Sequence, residues 1–243
     1  MTGSADAARR FEIGRVIRTT FSGVRAVGPA VLPLLVLFVV APDVLVAVAE
    51  SYFHVESSEL LLFTSIVGLM GLVVAAAAIR GALDHFAGHK PRFAPALRAG
   101  VRYFLPLLAI QFLTSLGIIF GLLLLIVPGL YWAASWSVAS AVRVAEFSSS
   151  QSAIGRSAEL TKGYRWPIFG LLLMFLVGYA ALIWLSGAGF GPPVAQLVWS
   201  VATNLIADSA YEVFMGVGCA AIYWELVRIR GAGVPGDITE IFA

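Results

Sequence analysis

Of the 243 residues, 60% are hydrophobic and 12% charged, and the mean hydropathy is +0.91. A soluble globular domain carries about a quarter charged residues, so that class is excluded. The net charge of +2 says little as a total, nucleic acid is not an expected partner, and the single cysteine, Cys219, lies in an apolar run and cannot build a disulfide framework or a zinc cluster on its own.

Residues 1–23 are polar and basic and read as a cytoplasmic segment, with a helix lying on the membrane surface. The first apolar span is read at 24–42, with Pro29 and Pro33 near its start, followed by an acidic loop at 43–59. Ala47-Val48-Ala49 resembles a signal-peptidase site, but the segment before it is longer than a signal peptide, which favours an uncleaved anchor. A second span is expected at about 60–80 and a polar connection at 81–101. A third span follows at about 103–127, where Gly117 and Gly121 form a GxxxG pair that would let another helix come close.

Pro128-Gly129 reads as a turn into a fourth span at about 130–147. Beyond a Ser-rich junction come a short helix at 151–162, a fifth span at 166–186 and a Gly/Pro-rich turn. The stretch 194–230 holds a mixed segment and then an apolar run, before a short polar tail at 231–243.

The basic residues sort this pattern into sides. All sixteen lie before span one, between spans two and three, between four and five, or after the last span. Positive residues stay on the cytoplasmic side, so the expected architecture is an all-α polytopic membrane protein with six transmembrane helices, both termini cytoplasmic. The membrane domain covers 24–230, with a short cytoplasmic amphipathic helix between spans four and five.

In that short helix, Ser149 or Ser150 is the expected N-cap and Gly163 the C-terminal stop. Ile154, Ala158 and Thr161 share one side. Arg156, Lys162, Arg165 and Trp166 are the candidate contacts to anionic headgroups or a partner, against the plainer role of a connector that sets the next span in register.

The set Pro128, Gly129, Glu146, Ser157, Leu160, Thr161 and Gly163, closed by Tyr223, Glu225 and Arg228, resembles the glycerophosphoryl diester phosphodiesterase membrane-domain family and small inner-membrane proteins of the YciC type. That resemblance covers about residues 120–230. It implies a bacterial inner-membrane domain of six helices. The phosphodiesterase activity that names the family resides in a separate catalytic barrel whose motifs have no counterpart in this chain, so no enzyme activity is implied.

Gln196, Ser200, Asn204, Asp208 and Glu212 are spaced by four and make a polar stripe on a helix. Two placements are open. The stripe can face outer water on a segment lying flat, the favoured reading, or dip into the bundle, where Asp208 and Glu212 become costly and functional intramembrane carboxylates. Glu146, Glu225, Arg143 and Arg228 are expected to pair across helix ends. Asp84, His85 and His89 include a His pair at i, i+4, but Gly88 within it argues against a metal site.

No cofactor or metal is expected, and no catalytic set is recognisable. The functional expectation is a non-enzymatic protein supporting envelope or membrane-lipid homeostasis as a scaffold or regulator. Its expected partners are membrane lipids and other membrane proteins or itself. A small-molecule or lipid transporter using the stripe at 196–212 is the alternative.

Overall fold

The computed structural model describes residues 11–53, 57–146, 149–187 and 193–230, and over them the chain is all-α. In order, the helices are α1 (Ile13–Leu35), α2 (Ala41–Phe53), α3 (Ser57–Phe86), α4 (Phe93–Leu124), α5 (Ile126–Trp136), α6 (Ala139–Glu146), α7 (Ser150–Thr161), α8 (Arg165–Gly187) and α9 (Pro193–Arg230). A π-helical turn, Val36–Val40, joins α1 to α2. Five stretches among the described residues are long and apolar enough to cross a membrane: Ile13–Val46, Gly68–Phe86, Phe93–Leu124, Arg165–Leu185 and Leu205–Arg230. The chain is therefore a helical protein compatible with a multi-pass membrane location.

α3 and α9 form the centre. On α3 the run Val74, Ala76, Ala77 and Ala78 is fully buried, because side chains this small let neighbouring backbones close in. α9 packs along α3 in the same direction, with Gly216 against Ala75 and Trp224 against Phe86. A Cβ placed on Gly100 of α4 would lie 2.8 Å from the Val73 carbonyl, so only glycine admits that crossing. Outside this core the surface is apolar, with Leu105, Phe112 and Leu123 at 70%, 66% and 76% exposure. Water offers no home for such a belt, whereas lipid does.

Several expectations are revised. Residues 13–23 do not form a separate surface helix: α1 starts at Ile13 and runs unbroken through the first apolar stretch, burying Val16, Thr20 and Val27 on one stripe, while residues 1–10 lie outside the described residues. Pro29 and Pro33 sit inside it, each removing a ladder donor. The backbone then widens into the π turn, where the Ala41 N–H donates to the Val36 carbonyl five residues back. The loop expected at 43–59 is helical to Phe53 and again from Ser57. On the described part of that loop, Asp43 lies in the first turn of α2. His54 lies outside the described residues.

The largest revision concerns 126–146. A straight fourth span is absent. The stretch is split at Ser137-Val138 into helices of 11 and 8 residues, about 16 and 12 Å long, each short of the ~30 Å apolar core. Pro128-Gly129 is not the turn either. The chain reverses at Leu125, whose φ of −163° and ψ of 146° are extended, and Pro128 then sits in the first turn of α5, where a missing N–H costs no ladder bond. α4 and α5 form a tight hairpin, since a Cβ on Gly121 would lie 2.8 Å from the Gly129 Cα. Gly117 lies beneath the Trp136 ring of the same hairpin.

This hairpin does not end on the far side from α7. The Arg165 guanidinium lies 4.1 Å from the Tyr131 ring centroid and also meets its hydroxyl. Tyr131 is six residues from Leu125, only about 9 Å along a helix. The Arg230 guanidinium, at the end of α9, donates to the Leu160 and Lys162 carbonyls at 3.2 and 2.7 Å. Phe11, just ahead of α1, stacks near Tyr164 at 5.8 Å. The hairpin tip, α7, the start of α1 and the end of α9 therefore gather at one end of the bundle. A full bilayer core cannot separate Pro128-Gly129 from residues 151–165.

Candidate functional site

Two of the motif residues, Ser157 and Thr161, meet at the break between α5 and α6. Interrupting a helix strips partners from carbonyls near the gap, and in an apolar surrounding each must be met by another donor. α7 supplies two. Ser157 Oγ donates to the Ser135 carbonyl at 2.8 Å and Thr161 Oγ1 donates to the same oxygen at 3.1 Å. Cys219 Sγ of α9 donates to the Ser137 carbonyl at 3.3 Å.

α7 is positioned to do this by its own local code. Ser149 caps it, accepting from the Ser152 N–H at 3.2 Å, and Gly163 ends it with φ +89°, a left-handed conformation that glycine adopts without strain. Its buried face is Ala153, Ser157, Leu160 and Thr161. The expected Ile154, Ala158 and Thr161 face is thus displaced by about one residue, because polar Ser157 and Thr161 point inward to the break. α7 is packed against α4, α5, α6 and α9 with Leu160 fully buried, while Gln151, Ser152, Gly155 and Glu159 on its other face are exposed.

Two ionic clusters brace the same end. Tyr223 OH donates to Glu146 Oε1 at 3.0 Å, and Arg156 Nε stands 3.5 Å from Glu146 Oε2, so α9, α6 and α7 meet through one carboxylate. Glu225, with a side chain 5% exposed, is held by Arg228 at 2.8 Å and by Arg15 of α1 at 3.4 Å. Of the four expected headgroup contacts, Arg156 is committed to Glu146 and Glu159, and Arg165 to Tyr131 and the Ala158 carbonyl. Lys162 is exposed and Trp166 is 78% exposed.

The polar stripe is carried by one continuous helix, α9, of 38 residues, so 194–212 is not a separate flat segment. Side chains of Gln196, Ser200 and Asn204 lie outside the described residues. Asp208 accepts from Tyr179 OH of α8 at 2.7 Å. Glu212 presses on α3, where a Cβ on Gly71 would lie 2.9 Å from its Oε1. Tyr179 and Tyr211 rings are 4.4 Å apart beside them. The two carboxylates thus face neighbouring helices, which favours the placement within the bundle over the flat one.

Asp84 is engaged by Arg80 at 2.9 Å, and the His85 ring lies 5.9 Å from that of Phe86. Sequence reading passed over what surrounds this pair. The end of α3, the connection after it and the start of α4 enclose a cavity of about 1170 Å³ lined by Arg80, Lys90, Arg92, Arg98 and Arg102. In the chain these cations look like an ordinary inner connection, and only the fold makes them one site.

Comparison with protein-family profiles, with curated proteins and with solved structures finds no match for the chain.

Proposed function

We propose that the chain is a non-enzymatic, multi-pass protein of a bacterial inner membrane that supports membrane-lipid homeostasis as a scaffold or regulator. The observation that carries this reading is the use made of the polar motif residues. Ser157, Thr161, Glu146, Tyr223 and Glu225 are engaged in holding helices together, as a brace does, with Arg228 backing Glu225 from within α9, and their hydrogen-bonding groups are spent on protein partners. The membrane-domain resemblance around these residues points the same way. Comparing the lipid composition of a deletion strain with its parent tests the reading; identical headgroup and acyl profiles across growth conditions would sink it.

The topology belongs to this proposal. Basic residues on the cytoplasmic side require an even number of crossings, with both termini inside. The Tyr131–Arg165 contact supports four crossings, by α1–α2, α3, α8 and α9, plus an α4–α5 hairpin that turns back toward the side it came from. Six crossings require the tip on the outside. A reporter fused after Gly129 reads inside for the hairpin and outside for six crossings.

The transport reading keeps one supporting observation: Asp208 and Glu212 face α8 and α3. A cysteine at Asp208 that labels freely with an impermeant outer reagent would remove that support.

A further inference from the structure

The cavity at the end of α3 carries five cationic side chains and one carboxylate, Asp84, a balance of 5 − 1 = +4. Asp84 is already taken by Arg80. Lys90, Arg92 and Arg98 are exposed and have no acidic partner among the described residues. Arg143 of α6 stands over the ring of Tyr103, which lines the cavity, 5.4 Å from its centroid, adding positive potential to the same region. Like charges lining one cavity repel unless an anion joins them, and arginine forks suit phosphate oxygens.

The rest of the lining decides which anion. Pro95, Leu97 and Val101 form an apolar wall to the cavity. Just beyond, α4 presents Val101 and Leu105, 63% and 70% exposed, as the start of the lipid-facing belt. A site cationic at one edge and continuous with an apolar surface at the other matches an amphiphile with a phosphate head.

We infer that this groove binds the phosphodiester headgroup of an anionic phospholipid, through Lys90, Arg92 and Arg98, with its acyl chains running along α4. The inference deepens the homeostasis reading and rests on it: it supplies the ligand class that a lipid-responsive scaffold would sense.

The test is native mass spectrometry of the purified full chain with phosphatidylglycerol, phosphatidylcholine or inorganic phosphate. Wild type retains phosphatidylglycerol over phosphatidylcholine. Arg92→Gln/Arg98→Gln weakens phosphatidylglycerol about 30-fold, the equivalent of about 1 kcal/mol for each charge removed. Arg92→Lys/Arg98→Lys retains most of the binding, and Arg18→Gln/Arg25→Gln, which removes two exposed cations of α1 that do not line the groove, leaves it unchanged.

Equal retention by the Gln pair overturns the site. So does an equal loss in the Arg18/Arg25 control, which would mean diffuse attraction. Full displacement by excess inorganic phosphate overturns the lipid source in favour of a soluble anion. Should the Gln pair fail to fold, a photo-crosslinker at Leu97 of otherwise unaltered protein decides: capture of phosphatidylglycerol supports the groove and its absence overturns it. Failure here with altered lipids in the deletion strain removes only the groove. Intact binding with unaltered lipids removes the homeostasis reading.

Discussion

At the level of single residues, the polar groups kept inside this apolar chain are explained by the backbone they serve. Ser157 and Thr161 both donate to one carbonyl, that of Ser135, so either alone leaves it satisfied. Ser157→Ala should therefore be mild, and Ser157→Ala/Thr161→Val should cost about 1–3 kcal/mol, since a buried acceptor is then unmet. Thermal unfolding in detergent, followed by helicity, reads the difference, and additive single-site losses would argue against the shared acceptor. Glu225 shows the same economy for charge. Its carboxylate faces Arg15 at 3.4 Å and Arg228 at 2.8 Å, while those cations are 33% and 38% exposed. Screening limits what each pair contributes, so a double-mutant cycle between Arg15 and Glu225 should give a coupling of only ~0.5–1 kcal/mol. A coupling near zero would show that α1 is held to α9 by apolar packing alone. From sequence, the pairing of Glu146 and Glu225 at helix ends was legible because carboxylates in an apolar chain need partners. Which partners they take was not, since Arg15 is 210 positions from Glu225.

Among the elements, long apolar helices were readable because each needs nothing but composition and period. α7 was readable too, through its serine cap and its glycine stop. What escaped was the break at Ser137-Val138. Residues 126–146 are apolar enough for a span, and no proline or glycine at the gap announces an interruption. The gap is stabilised from a distance by Ser157, Thr161 and Cys219, so its cause lies in tertiary contacts that no local pattern contains. The hairpin made by α4 and α5 carries its own prediction. Gly121 admits the Gly129 backbone, and Gly121→Leu should force the helices apart. Loss of the hairpin would uncouple Tyr131 from Arg165 and expose Trp132 and Trp136, whose stacked rings lie 5.5 Å apart. A red shift of tryptophan emission together with lowered thermal stability is the expected result; an unchanged spectrum would mean the approach is not enforced by glycine.

For the whole molecule, charge distribution determines parity and leaves the count open. Basic clusters on one side fit four crossings as well as six, because a hairpin that turns back adds two passes' worth of apolar residues and no change of side. That is why the sixteen cations are compatible with either count, and the span count read from hydropathy does not settle the path of α4 and α5. The contact between Tyr131 and Arg165 favours four, since residues touching within 4.1 Å do not lie across a ~30 Å core. Single cysteines placed at Leu125 and at Lys162, in protein whose Cys219 is replaced by Ala, carry the prediction further. In inside-out vesicles both should react with a membrane-impermeant maleimide, or Leu125 should be shielded while Lys162 reacts, if the tip is buried in the inner leaflet. In right-side-out vesicles neither should react. Labelling of Leu125 from the outer side alone would restore six crossings, place the tip across the membrane from Lys162, and require α5 and α7 to part from the arrangement in which Ser135 accepts from Ser157 and Thr161.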